Sequence, residues 1–117
     1  MLLSRDLIFT TKVMGTARSL GLLVECAGSA AAVTAALAKA TLRVVLVDLS
    51  AGDLVSPSAL TAYRAARAGT PFVAFGSHVD VDALKAAREA GCEEVMPRSR
   101  FAAELPAILR RYFAVDL

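Results

Sequence analysis

The sequence of 117 residues has few of the features that mark metal sites, membrane segments and secreted proteins. Its two cysteines, Cys26 and Cys92, lie far apart without C-x-x-C spacing, so they predict reduced, packed thiols rather than a metal site. No apolar run approaches the roughly 20 residues of a membrane helix. The amino-terminal segment carries Arg5 and Asp6 and has no separate apolar stretch before a cleavage site, so no signal peptide is predicted. We therefore expect a cytoplasmic protein without a membrane segment.

The sequence also lacks a concentrated charge, an internal repeat and a low-complexity linker. The formal net charge is +2 and the basic residues are spread along the chain, which predicts no binding of nucleic acid. The stretch GSAAAVTAALAKA has one glycine where a phosphate-binding loop needs several, and no nucleophile, histidine and acid form a catalytic pattern. The single histidine, His78, is predicted to lie in a surface loop. We predict one domain over residues 1–117, without enzymatic activity, catalytic residues or metal ligands.

Short apolar runs alternate with helical patterns along the chain. The apolar runs predict strands at 6–11, 22–27, 43–48, 71–75 and 93–96. Capping residues and apolar periodicity predict helices at 12–21, 29–40, 57–68, 81–90 and from 102 onward. The last helix is given this late start because Pro106 is tolerated only near the beginning of a helix. Five strand–helix units with right-handed crossovers predict an α/β fold, a flavodoxin-like doubly wound parallel sheet with strand order 2-1-3-4-5.

Polar side chains follow several of the predicted strands. In such a sheet, ligands bind beyond the carboxyl ends of the strands, where the winding direction reverses. The third strand ends in a carboxylate, Asp48, at that edge. We predict a pocket around Asp48, formed by residues that follow strands one, four and five. These residues are Thr10, Thr11 and Lys12, then Gly76 and Ser77, and finally Arg98.

Two stretches of the chain add a resemblance to this five-unit pattern. The first is VVLVDLSAG, with its strand-terminal aspartate, and the second is TPFVAFGSHVDVDALKAAREAGCEEVM. Together they resemble the receiver domain of a response regulator of two-component signalling, over nearly the whole length of the chain. The second stretch is similar to the family's fourth strand, fourth helix, Ala-Gly turn and fifth strand. The resemblance implies that Asp48 stands at the position of the phospho-acceptor.

The resemblance also shows departures at the other functional positions of the family. The acidic pair that helps to hold Mg²⁺ is replaced by two hydroxyl residues, and the Ser or Thr that follows the phosphoryl group is replaced by glycine. The lysine after strand five is replaced by arginine, the proline after it by serine, and the switch aromatic by valine. In the same order, these positions are Thr10 and Thr11, Gly76 (with Ser77 one place later), Arg98, Ser99 and Val95.

These departures predict that Mg²⁺ binds weakly or not at all, and no other cofactor is expected. Phosphoryl transfer to a carboxylate brings two anions together, and the family relies on a divalent cation to neutralise them. Mg²⁺ takes oxygen ligands, usually including one or two carboxylates. The pocket offers Asp48, with Asp53 nearby in sequence, while Lys12 and Arg98 bring positive charge. Because a carboxylate attracts a cation about 4 Å away by roughly 4 kcal/mol before desolvation, we expect Asp48 to pair with these cations in the metal's place.

The leading hypothesis is a degenerate receiver-like domain, or pseudo-receiver, that acts in signal transduction by protein–protein interaction. It would present helix four, strand five and helix five to a kinase, to another signalling protein or to a second copy of itself. Two alternatives stay open. One is a response regulator that accepts phosphate at Asp48 in a phosphorelay. The other is a small enzyme or anion-binding module that uses Thr10, Thr11 and Lys12 at the start of the first helix.

Overall fold

The apolar runs of the sequence form a parallel sheet in which the inner strands are buried on both faces. The computed structural model describes residues 1–113, and its five strands are all paired in parallel in the order β2-β1-β3-β4-β5. The strands are β1 Leu2–Leu3, β2 Cys26–Ala27, β3 Val45–Asp48, β4 Phe72–Gly76 and β5 Glu94–Pro97. Every residue of β1, β3 and β4 is buried, as is usual for strands covered on both faces. The predicted fold class and strand order are therefore confirmed.

Helices cover both faces of the sheet and divide the core into two apolar clusters. They are α1 Leu7–Ser19, α2 Ala30–Leu37, α3 Pro57–Ala66, α4 Val81–Glu89 and α5 Arg98–Phe113, with a 3-10 helix at Gly52–Val55. Successive strand residues point to opposite faces. Leu46 and Val73 pack with the buried residues of α1 and α5, whereas Val47 and Ala74 pack with those of α2, α3 and α4. None of the helices in residues 1–113 has the length and apolar character needed to span a membrane.

The predicted first strand at 6–11 is wrong, because this segment begins helix α1. Asp6 is the N-cap, and its carboxylate accepts a hydrogen bond of 3.0 Å from the backbone N–H of Phe9. The buried residues of α1 are Phe9, Val13 and Ala17, at the four-residue spacing of one helix face. The true first strand has only two residues, Leu2 and Leu3, which precede this cap. The predicted helix at 12–21 therefore begins five residues earlier, at Leu7.

Helix α5 begins at Arg98 rather than at the predicted residue 102, so Pro106 lies inside it. A proline in a helix interior costs about 3 kcal/mol. The early start is stabilised by tertiary contacts, because Phe101 is fully buried and Arg98 pairs with carboxylates of other elements. At the other end, the Tyr112 hydroxyl donates a hydrogen bond to Glu94 of β5, and burial followed by this bond raises the pKa of Tyr112 to about 12.

The remaining predicted elements are present with shifted ends. The second strand is the most shortened, since only Cys26–Ala27 of the predicted 22–27 is paired. Both cysteines are free thiols. Cys92 is buried, and desolvation raises the pKa of its thiol to about 11, which keeps it protonated at neutral pH. The predicted packing of Cys26 is wrong, because this residue is exposed at the end strand of the sheet.

The corrected start of α1 predicts that Asp6 contributes a helix cap. Asp6→Ala is expected to lower the free energy of unfolding by about 1 kcal/mol, whereas Asp6→Asn keeps a side-chain acceptor and should cost less. Chemical denaturation of both variants measures the difference. Equal stabilities for the alanine and asparagine variants would contradict the cap.

Candidate functional site

Asp48 is a buried carboxylate at the carboxyl end of the central strand β3. Its side chain has no exposed surface, so its charge needs hydrogen-bond donors close by. The Ser4 hydroxyl donates to Oδ2 at 2.7 Å. The backbone N–H and the hydroxyl of Ser50 both donate to Oδ1, at 3.0 Å and 2.7 Å. Both Asp48 oxygens are therefore held by groups from the loops that follow β1 and β3.

Arg98 supplies the cation that neutralises Asp48. Its Nη2 lies 2.7 Å from Asp48 Oδ1 and also donates to the Ser50 hydroxyl at 2.9 Å. Its Nη1 lies 3.7 Å from the Asp6 carboxylate. The Arg98 side chain is 30% exposed, so the cation of this ion pair reaches solvent while the carboxylate is buried. A charge-assisted hydrogen bond in such a setting is stronger than one in open solvent.

Two phenylalanine rings lie under the Arg98 guanidinium, and a third packs against both of them. The guanidinium carbon is 4.8 Å from the centroid of the Phe9 ring and 5.5 Å from that of Phe75. Phe75 stacks on Phe101 at a centroid separation of 4.0 Å. Because a planar guanidinium can stack on aromatic rings and donate hydrogen bonds in its own plane, Arg98 binds Asp48 and covers the aromatic cluster at the same time.

Arg5 is a second cation at this edge of the sheet, and it joins three loops. Its guanidinium donates to the backbone oxygens of Gly28 at 3.1 Å and Ala51 at 3.3 Å, and pairs with Asp53 at 3.2 Å. The Asp53 side chain is 94% exposed, so the ion pair itself contributes little to stability. Ser4 and Arg5 directly follow β1, so the end of this strand places one hydroxyl and one cation near Asp48.

The structure brings together only some of the residues predicted for the pocket. Thr10, Thr11 and Lys12 do not follow a strand, because they lie on α1. The Thr11 hydroxyl donates to its own helix at Leu7 O, the Thr10 hydroxyl contacts the Cys26 sulfur, and Lys12 is exposed. Their assignment to the pocket is corrected, and so is the predicted pairing of Lys12 with Asp48. The anion-binding alternative, which needed these residues at the start of the helix, loses its geometric basis.

The predicted pocket residues after β4 and β5 lie at the expected edge of the sheet. Gly76 is the buried last residue of β4. Ser77 is exposed, and its hydroxyl accepts a hydrogen bond of 3.4 Å from the backbone N–H of Val79. Arg98 contacts Asp48 directly. Within residues 1–113, Arg98 is therefore the predicted pocket residue that forms a hydrogen bond with Asp48.

Four residues near Asp48 were not predicted from the sequence: Ser4, Arg5, Asp6 and Phe9. One local pattern indicates their position. Asp6 followed by apolar residues at 9, 13 and 17 is the pattern of a capped amphipathic helix. If the helix begins after Asp6, the first strand must end before Ser4. The three residues Ser4, Arg5 and Asp6 then follow the strand, at the edge where Asp48 lies.

The groups around Asp48 also bear on whether a metal ion fits. Across the described residues, 1–113, no group of three or more His, Cys, Asp or Glu side chains is close enough to hold a metal ion. Two carboxylates of the neighbouring loops, Asp6 and Asp53, approach the guanidinium groups of Arg98 and Arg5 respectively. The groups within hydrogen-bonding distance of Asp48 are donors, and one of them is a cation.

The fold is shared with the receiver domains of response regulators. The receiver domain of NtrX from Brucella abortus superposes with a TM-score of 0.80 at 17% identity, covering 98% of each chain. A response regulator from Thermotoga maritima gives 0.78 at 17% identity, covering 98% of this chain and 96% of the other. The phosphorylated cyanobacterial phytochrome response regulator RcpA gives 0.78 at 11% identity, with coverages of 99% and 94%. No protein-family model matches the sequence, and no curated protein matches it significantly. At these identities the similarity establishes the fold.

The geometry of the ion pair predicts that Asp48 stabilises the fold. Asp48→Ala is expected to lower the free energy of unfolding by roughly 3 kcal/mol, the low end for a broken buried pair, because Arg98 keeps some contact with water. Chemical denaturation measures this loss, and Asp53→Ala, an exposed acid in the same loop, should leave stability nearly unchanged. A more stable Asp48→Ala variant would show instead that the carboxylate is poorly compensated.

Proposed function

We propose that this chain is a receiver-like signalling domain with an atypical phosphorylation site, which acts by protein–protein interaction and has no enzymatic activity. The fold supports a receiver-like role, since receiver domains of response regulators share it over nearly the whole chain. The observation that carries the atypical site is the 2.7 Å contact between Arg98 Nη2 and Asp48 Oδ1. In this proposal the guanidinium neutralises Asp48 where the receiver family uses a divalent cation.

The residues around Asp48 do not fit Mg²⁺. This ion requires oxygen ligands in near-octahedral geometry and keeps several of its waters. Asp48 Oδ1 already accepts hydrogen bonds from Ser50 and Arg98, and the loop after β1 offers Ser4 and Arg5 rather than a carboxylate pair. A divalent cation next to Asp48 would also be repelled by the Arg98 guanidinium. The single positive charge of Arg98 compensates Asp48 itself, so an incoming phosphodonor anion would lack the divalent cation that neutralises its charge in the receiver family.

The proposed output is binding to another protein. The partner would be a kinase, another signalling protein or a second copy of this chain, and it would contact the surface formed by α4, β5 and α5. This surface carries charges of both signs, including the pairs Arg100–Glu104 and Arg111–Glu94. Interspersed charges of this kind favour a specific, salt-sensitive association rather than a purely apolar one.

Incubation with a small phosphodonor tests the proposal directly. In the presence of Mg²⁺ and acetyl phosphate, intact mass measurement is expected to show no phosphoryl adduct on the wild-type chain. Asp48→Asn provides the matched control, because it removes the acceptor oxygen with little change in shape. An adduct on the wild type that is absent from Asp48→Asn would establish the alternative, a response regulator phosphorylated at Asp48.

A double variant designed to bind Mg²⁺ tests whether Arg98 and the lack of a second carboxylate prevent Mg²⁺ binding. Ser4→Asp combined with Arg98→Lys places a second carboxylate beside Asp48 and removes the stacked guanidinium. Because a ligand that binds only the folded state raises its stability, Mg²⁺ should raise the Tm of this double variant, in buffers matched for ionic strength with NaCl. The wild type should show no such rise.

Ser29→Asp is the control for the added charge, since Ser29 is the exposed N-cap of α2 and is not among the groups that contact Asp48. It should not respond to Mg²⁺. Tight Mg²⁺ uptake by the wild type in calorimetry would contradict the proposal.

A further inference from the structure

The first turn of α5 carries the side chains that connect this helix to the rest of the carboxyl edge. Arg98, its first residue, contacts Asp48 at the end of β3 and approaches Asp6 at the start of α1. Phe101, three residues later and on the same side of the helix, stacks on Phe75 of β4 and lies 5.9 Å from Phe9 of α1. Two residues of one helix turn therefore contact β3, β4 and α1.

Leu49 restricts which side chain fits at the end of β4. A Cβ atom added to Gly76 would lie 3.1 Å from the Leu49 Cβ and 3.3 Å from its Cδ1. Leu49, the residue after Asp48, therefore occupies the space into which a larger side chain at position 76 would extend. On β5, Val95 is part-buried and packs against the apolar cluster that also contains Val47 and Ala74. Neither position carries a polar group that could move toward Asp48.

The far end of α5 is also attached to the sheet. Arg111 donates two hydrogen bonds to the Glu94 carboxylate, at 3.0 Å and 2.9 Å, and Tyr112 donates a third to the same group. Glu94 is the first residue of β5, and Arg98 directly follows the last one. The strand and the helix after it are thus held together at both ends of the helix.

We propose that Arg98 is a permanent latch that fixes α1 and α5 relative to β3, so that the carboxyl edge has one conformation whether or not a phosphodonor or a divalent cation is present. A metal ion or a phosphoryl group can leave its site, but the guanidinium is covalently part of α5 and cannot. The proposal deepens the proposed function and rests on it, because it explains how the domain can present a constant surface to a partner.

Hydrogen exchange of the isolated protein, measured residue by residue by NMR, tests the latch. The reporters are amides bonded across the latched region: Thr10 N–H to Asp6 O, and Leu49 N–H to Phe75 O. Two amides in equivalent bonds elsewhere serve as internal controls: Val33 N–H to Ser29 O at a helix start, and Val45 N–H to Pro71 O at the opposite end of β3. No phosphodonor, metal ion or partner is added, so the result does not depend on whether Asp48 is phosphorylated.

Arg98→Gln removes the cation and its contact with the aromatic rings, and it should speed exchange at both reporters by roughly 10- to 100-fold, the effect of losing a hydrogen bond to a charged group. The control amides should change much less. Arg100→Gln is the matched control variant, because Arg100 lies on the same helix and pairs only with its neighbour Glu104 among the described acids. It should leave all four amides unchanged.

Two outcomes would overturn the latch. One is unchanged exchange at Thr10 and Leu49 in Arg98→Gln, and the other is equal acceleration at the control amides, which would assign Arg98 to overall stability alone. If Arg98→Gln does not fold, Arg98→Lys replaces it, since lysine keeps the charge but not the planar group. Local acceleration at the reporters is then still expected, and its absence would overturn the latch in the same way.

Discussion

The Asp48–Arg98 ion pair is the interaction on which the carboxyl edge of this sheet depends. A carboxylate without exposed surface is strongly unfavourable unless a cation and hydrogen-bond donors surround it. Asp48 is the last residue of the central strand β3, and its side chain has no exposed surface. The hydroxyls of Ser4 and Ser50 turn toward it for the same reason. The pair therefore determines how the loops after β1 and β3 and the start of α5 are arranged.

A guanidinium differs from a divalent cation in ways that matter at a buried carboxylate. It presents directed N–H donors and a flat apolar face, so that Arg98 can bind Asp48 and stack on Phe9 and Phe75 together. Its charge does not depend on the concentration of a free ion. A site built on such a group is compensated at all times. Within the proposed function, such a site keeps the loops next to Asp48 in one arrangement without a bound ion.

The sequence predicted the fold well where burial imposes a clear pattern, and it failed where the strand is too short to have one. The β3 and β4 runs are continuous and apolar, so their ends located Asp48 and Gly76 correctly at the edge of the sheet. A strand of two residues, Leu2 and Leu3, is too short to show an alternating pattern. The segment 7–11, which mixes apolar and β-branched residues, resembles a strand although it begins α1. Side-chain geometry, such as the stacking of Arg98, depends on contacts between distant elements that no local pattern encodes.

The residues that follow the true first strand add charge compensation around Asp48. With the strand ending at Leu3, the residues facing the rim include Arg5 in place of Lys12, and Arg5 is bound to Asp53 and to two backbone oxygens. Asp6 caps α1, where the helix dipole favours a negative charge, and it also approaches Arg98. Asp48 is paired with Arg98 itself. Each of these three carboxylates thus has a compensating group of its own, so that binding a divalent cation would require breaking an existing ion pair or helix cap.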